Sequence, residues 1–290
     1  MKQALIKLHI AVFLAGFTGI LGRLITLNEG LLVWYRLFIT IVTMWLLFSF
    51  TKKLTRISKK DMIQLAGVGF LAALHWVTFY GSIKYANVSV ALVCFSAVGF
   101  FTAFLEPLIV RRKIIWTEVL LGFMVMIGIY IIFHFDPHYK TGIILGINSA
   151  LLIALAMILL RQFVQRINGE TALTYQLTGG LFLLTLVMPF YLYLFPVKTL
   201  LPTIGDWGWL LVLSWLCSVW AFQLTAQALK KLSAFTVNLT FNLEPVYGIV
   251  MAFIFFNEAK DLSKGFYFGL ALIILSVVLQ MWRVIKLKKH

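Results

Sequence analysis

Long apolar runs separated by short charged or turn-rich segments dominate the chain. Ten of them stand out, at 7–27, 30–50, 62–83, 87–110, 116–134, 142–161, 171–195, 207–228, 233–256 and 264–282. A helix needs about 20 apolar residues to cross the hydrocarbon core of a bilayer. Inside that core no backbone group can turn to water, so a helix, which bonds its own N–H and C=O groups, is the element such runs must form. The pattern therefore predicts an all-α membrane protein of ten transmembrane helices. The start, Met1-Lys2-Gln3-Ala4-Leu5-Ile6-Lys7 ahead of an apolar stretch, has the outline of a signal peptide. The stretch runs on to Leu27 with no small-x-small cleavage site, and so reads as an uncleaved first span.

Composition agrees and narrows the function. The 290 residues are 62% hydrophobic and 12% charged, against about 45–50% and about 25% in soluble domains. Ten spans of ~20 residues leave too little chain in the connections for a soluble catalytic or nucleotide-binding domain. No Gly-x-x-x-x-Gly-Lys-Ser/Thr loop, His-Glu-x-x-His or Gly-x-Ser-x-Gly occurs, so neither ATP hydrolysis nor an enzyme of those types is expected, and no cofactor or metal. Cys94 and Cys217 lie inside apolar runs and read as small packing residues.

A net charge of +15 raises nucleic acid as a partner, but its placement answers that. With both termini in the cytoplasm, the inner side collects 18 Lys and Arg, including Lys52, Lys53, Arg56, Lys59, Lys60 and Arg111-Arg112-Lys113. The outer side holds five, Lys84, Lys140, Lys198, Lys260 and Lys264. Short cytoplasmic loops are where positive charge gathers, so the excess is a topology signal and no nucleic-acid partner is expected.

The halves are weakly alike. Trp76 can be laid on Trp220, Ser89 on Ser233 and Gly122 on Gly269, which divides the chain into five-helix repeats at 1–138 and 139–290. Because five is odd, the second repeat must sit upside down relative to the first, an arrangement that places a transporter's site between the halves near the midplane. Leu105-Glu106-Pro107 and Leu243-Glu244-Pro245 look like partners but lie 138 positions apart, where the flanking alignment wants 144–147. Glu106 and Glu244 are therefore not treated as equivalents.

On Gly16-Phe17-Thr18-Gly19-Ile20-Leu21-Gly22, Trp34-Tyr35-Arg36-Leu37-Phe38, Pro245, Glu258 and Gly269, together with helix number and order, the chain resembles the EamA-type bacterial permeases of the drug/metabolite transporter superfamily. It departs from them at Val98, where the family often carries proline. The resemblance implies ten helices in two repeats and export of amino acids or related metabolites across a bacterial inner membrane, driven by the substrate gradient or by proton exchange.

Ionisable residues inside a span are costly, by about 2.5–3.5 kcal/mol each on insertion scales, and so are the first candidates for function. Glu244, before Pro245, could hold a substrate amine or a coupling proton, or be a carboxyl bonded between helices. His75 shares a stripe with Thr78, Phe79 and Ser82 and could face a cavity or hydrogen-bond a neighbouring helix. Trp76 with Tyr80, and Trp220 with Gln223, could wall a cavity or pack helices together. Asn238 and Asn242 share one face of the ninth helix, Thr240, Glu244 and Tyr247 another. Arg36 could attract a substrate carboxylate, or snorkel outward to Glu29; Arg23 lies near it. Glu106, close to Arg111-Arg112-Lys113, reads as an inner-gate ion-pair partner, and Gly16, Gly19 and Gly22 as close-packing positions.

The sequence thus reads as a secondary transporter of small organic metabolites, working by alternating access. The competing readings are a lipid-handling flippase or membrane enzyme, and a channel. Its partners are a small-molecule substrate, the lipid bilayer and, as a candidate, a coupling proton; a homodimer is compatible with it. In a chain with Cys94 and Cys217 replaced, a cysteine at Lys198 is expected to react with a membrane-impermeant maleimide in intact cells, and one at Lys53 only in inverted vesicles. Labelling of both from one side would refute the charge-derived orientation.

Overall fold

A computed structural model describes residues 2–135, 137–229, 231–232, 237 and 240–287. Their regular structure is helical: α1 Lys2–Leu24, α2 Glu29–Phe50, α3 Lys59–Tyr85, α4 Val88–Phe95, α5 Val98–Val110, α6 Trp116–Phe135, α7 Lys140–Val164, α8 Gly169–Leu194, α9 Ile204–Ser214, a π-helical turn Trp215–Trp220, α10 Ala221–Leu229, α11 Glu244–Phe256 and α12 Lys264–Leu287. Among the described residues nine helical stretches are long and apolar enough to cross a membrane, with α4 and α5 joined in one and α9 to α10 in another; Glu244–Phe256 is a shorter apolar helix.

The starts of these helices are written in their caps. Asn28, Ser58, Asn87, Asn168 and Thr203 each accept a hydrogen bond from a backbone N–H in the first turn of the helix that follows, meeting donors a helix cannot satisfy internally. At Thr203 the bond is reciprocal, with Asp206 returning one to the cap. Arg111 and Asn257 end α5 and α11 in the left-handed conformation at φ 56° and 57°.

Three predicted spans are not the continuous helices that hydropathy gives. The fourth, 87–110, breaks at residues 96–97, where Ser96 N–H and Ala97 N–H turn to the carbonyls of Val93 and Cys94 at 3.1 and 3.0 Å. The eighth, 207–228, passes through the π turn. In the ninth, 233–256, residues 240–241 are helical and α11 restarts at Glu244 with Pro245 in its first turn, where a missing N–H costs no hydrogen bond; positions 233–236 and 238–239 lie outside the described residues. Largely apolar side chains flank the first two breaks, so hydropathy carries no mark of them, whereas the third falls at Asn242, Glu244 and Pro245.

Packing is pairwise. α3 lies on α7 and α8, α1 on α10 and α11, α2 on α8 and α9, α4 on α7 and α11, α5 on α6 and α7, and α6 on α12. Phe48, Tyr80 and Phe266 are the largest side chains shut from solvent. In the α6–α12 pair Gly128 meets the Gly269 carbonyl, and Ser276 Oγ donates to the Leu121 carbonyl at 2.7 Å. Gly128 and Ser276, and Leu121 and Gly269, are each 148 positions apart.

The glycines of α1 mark close approaches. A Cβ on Gly16 would lie 2.9 Å from the Glu244 carbonyl oxygen and 3.0 Å from the Gly248 nitrogen; one on Gly19 would press on Val88, and one on Gly22 on the Tyr80 ring. Backbone atoms cannot step aside as a side chain can. Gly16→Ala is therefore expected to destabilise the protein by about 1–3 kcal/mol, whereas Gly67→Ala, with nothing within 4 Å of its added carbon, is expected to be neutral or stabilising. Unfolding in detergent reads both; equal effects would mean that α1 and α11 are not in contact at Gly16.

Candidate functional site

α2 carries Arg36 into the bundle, where it is 5% exposed. Its Nη1 donates to Tyr80 Oη on α3 at 2.8 Å, and Nε and Nη2 donate to Ser218 Oγ in the π turn at 3.3 and 3.2 Å. The guanidinium lies over the Trp76 ring at 4.4 Å from its centroid. Ser214 Oγ donates to the Arg36 carbonyl at 3.2 Å, and Ser218 Oγ to the Leu213 carbonyl, five residues back, at 3.1 Å. The wider π turn thus sets Ser218 where one oxygen serves two guanidinium nitrogens.

Among the described residues no ion pair involves Arg36. Hydrogen bonds from a charged donor contribute about 1.5–3 kcal/mol each and a desolvated cation over Trp about 2 kcal/mol, against several kcal/mol for taking the ion out of water. Those interactions offset the desolvation but leave the charge itself unneutralised. The surroundings of Arg36 are therefore complementary to an anion. Arg36 does not reach outward to Glu29, whose carboxylate accepts a hydrogen bond from Tyr191 Oη at 2.8 Å.

Glu244 opens α11, its backbone against Gly16. Glu244 is half-buried, and its carboxyl has no hydrogen-bond or ion-pair partner among the described residues. His75, 4% exposed, is tied across the bundle: Nδ1 lies 3.0 Å from the Ser149 carbonyl and 2.8 Å from Ser149 Oγ on α7. The rings of Trp76, Phe79 and Phe95 surround it. Of its two readings, the hydrogen bond to a neighbouring helix is the one present. Trp76 and Tyr80 both touch Arg36. Trp220, by contrast, is 44% exposed, and among the described residues no ring contact joins it to Trp76. Gln223, one turn later, is half-buried. Asn238 lies outside the described residues, and Asn242 is exposed.

Two buried carboxylates bind the ends of the helices. Glu258, 2% exposed, pairs with Arg23 and accepts from Val88 N–H at 3.1 Å, Ser89 N–H at 2.9 Å and Ser89 Oγ at 2.6 Å. It so joins α1, the start of α4 and the segment after α11. Glu106 pairs with Arg112 and, at 2.6 Å, with Arg161. A third carboxylate, Asp206, receives Thr26 N–H at 2.6 Å and Thr26 Oγ1 at 2.8 Å. Sequence reasoning missed Ser218, Ser149, Asp206 and the anchoring part of Glu258. Only Asp206 left a legible sign, the capping pattern Thr203-x-x-Asp206.

A bundle of many apolar, membrane-length helices around a buried polar cluster is a multi-pass membrane protein. The chain belongs to the EamA-like transporter family, whose profile matches residues 2–134 and 140–282. A Haemophilus influenzae protein described as an uncharacterized transporter is 29% identical over 136 residues, covering 43% of this chain and 44% of that protein. The likeness thus spans less than half of the relative. A protein of known crystal structure is 14% identical and superposes with a TM-score of 0.62 over 94% of this chain and 95% of its own, a likeness of fold.

Glu258→Ala removes four acceptor contacts and leaves Arg23 without its partner. Arg23 is exposed and can turn to water, but the Val88 and Ser89 donors are buried, and leaving buried donors unsatisfied costs about 1–3 kcal/mol each, so a loss of at least about 2 kcal/mol is expected in detergent unfolding. A loss under about 1 kcal/mol, the range of an exposed pair, would contradict the burial of this carboxylate.

Proposed function

We propose that the protein is a secondary transporter of small organic metabolites, amino acids or related compounds, that exports them across a bacterial inner membrane by alternating access. The observation that carries this reading is the Arg36 guanidinium, buried on Trp76 with neutral partners and no ion pair among the described residues. With the Glu244 carboxyl, which also has no hydrogen-bond partner among the described residues, it suits a zwitterion. Its carboxylate would meet Arg36 in a charge-assisted, fork-shaped hydrogen bond, its ammonium would meet Glu244, and Trp76 and Tyr80 would wall its side chain. In this reading Glu244 is also the group to bind a coupling proton when the ammonium is absent, His75 positions Trp76, Trp220 and Gln223 lie along the route, and Arg23 and Glu106 act in gate ion pairs; Asn238 stays a candidate substrate contact.

The two halves, 1–138 and 139–290, are proposed as inverted repeats with both ends in the cytoplasm. The α6–α12 contacts support this: exchanging residues at an offset of 148 turns Gly128–Gly269 into Leu121–Ser276. So does α5 with α11, since Val98 and Glu244, Val110 and Phe256, and the left-handed Arg111 and Asn257 all pair at an offset of 146. Transport through such a fold is a rearrangement of one repeat against the other about the site.

Counterflow of labelled amino acids in proteoliposomes tests the assignment. Arg36→Gln and Glu244→Gln are each expected to lower flux at subsaturating substrate at least about tenfold, the loss of one charge-assisted hydrogen bond, with the protein still folded. Wild-type flux in both variants would show that the substrate does not bind between these residues.

A further inference from the structure

At one end of the bundle, the α2–α3 and α7–α8 connections form an open cleft of about 410 Å³ lined by Thr55, Arg56, Ile57, Ser58, Asp61, Arg166, Ile167 and Asn168. The ends of α2 and α7 and the starts of α3 and α8 meet here, so the cleft sits at the level where a bilayer's headgroups lie. Arg56 has no ion-pair or hydrogen-bond partner among the described residues and is exposed. Arg166 is held by Asp61, with Nη2 2.6 Å from Oδ1; one acceptor occupies one edge of the fork and leaves further N–H groups. Ile57 and Ile167 pack on the apolar cluster of Leu65, Val68 and Phe163 beneath, giving the cleft an apolar floor. Lys52, Lys59 and Lys60 stand on the adjoining chain, all exposed.

We propose that this cleft binds a phosphate ester, an anionic phospholipid headgroup entering from the surrounding leaflet. Arg56 and the free edge of Arg166 would take the phosphoryl oxygens, the geometry for which guanidinium is suited. The apolar floor would carry the glycerol carbons, and the neighbouring lysines would attract an anionic surface. Thr55 and Asn168 couple the site to the bundle: Thr55 N–H donates to Thr171 Oγ1 at 2.9 Å, and Asn168 Nδ2 donates to the Lys53 carbonyl at 3.0 Å. An occupied cleft therefore clamps a first-half connection onto a second-half one. The inference does not depend on what the protein transports, and flux is not its readout.

The test measures binding of phosphatidylglycerol to the full-length protein in neutral detergent, by native mass spectrometry and thermal shift, with phosphatidylcholine and inorganic phosphate as parallel probes. Arg56→Gln removes a side chain with no protein partner, so folding is unaffected, and it is expected to weaken phosphatidylglycerol about fivefold, the effect of one basic group near the surface. Lys286→Gln, a charge change elsewhere, is expected to leave binding unchanged. Phosphate that displaces the lipid with the same dependence on Arg56 also supports the site and makes free phosphate the ligand. Equal binding of phosphatidylglycerol by wild type, Arg56→Gln and Lys286→Gln, or equal binding of phosphatidylcholine, overturns it.

Discussion

A charge taken out of water must find its compensation inside the protein, because hydrocarbon offers none. That constraint organises the polar structure of this bundle. Glu258 has three donors from α4 and a guanidinium from α1; Glu106 has two guanidinium groups; Asp206 has four contacts from Thr26 and Thr203. Each carboxylate is bonded through both oxygens, and each joins segments far apart in sequence. Their placement at helix ends is also where an orphaned N–H is available to serve as a donor. Arg36 differs, since its partners are a phenol, a hydroxyl and an indole face. The bonded carboxylates hold the frame, and in the proposed function the unneutralised Arg36 is the group a ligand would meet.

The irregular backbone falls where this argument would place it. Non-helical or strained helical geometry at membrane depth is tolerated only where it is buried in protein or lines a cavity. The π turn delivers Ser218 to Arg36, and the restart of the ninth span delivers Glu244 to the face of α1 at Gly16. The break at residues 96–97 follows Phe95, one of the rings around His75. Close approach of α1 and α11 depends on Gly16 and Gly248 having no side chain there.

How far the sequence foretold this follows from the range of the interactions involved. Span positions and the asymmetry of Lys and Arg are local properties, and hydropathy with short loops displays them directly. Arg36, Glu244 and Trp76 stood out because charge and deep Trp are costly or unusual in a membrane wherever the chain goes. Trp76 and Tyr80 were also legible as neighbours, being four apart on one helix. What could not be read depends on which helices cross. His75 faces Ser149 only because α3 packs on α7, and no property of residue 75 or 149 alone announces that. Trp220 was matched to Trp76 by alignment, but it ends a π turn, an irregularity that an alignment of residue types does not register.

The distribution of ties between the halves bears on how such a bundle can move. Arg23–Glu258 and Thr26–Asp206 link the end of α1 to the second half, while Glu106–Arg161, Asp61–Arg166 and Lys53–Glu170 link the halves among the basic connections. In Asp61–Arg166 and Lys53–Glu170 the basic side chains are about half exposed, so screening by water and salt weakens each of those two pairs to about 1 kcal/mol or less, whereas Glu106, like Glu258, is a buried carboxylate. Each end thus carries a buried carboxylate tie, and in the proposed alternating access opening at either end strips that carboxylate of donors, the screened pairs adding little at the basic end. An anion at Arg36 adds attraction for groups on α2, α3 and the π turn together, which is the differential interaction a ligand must have to shift such a balance.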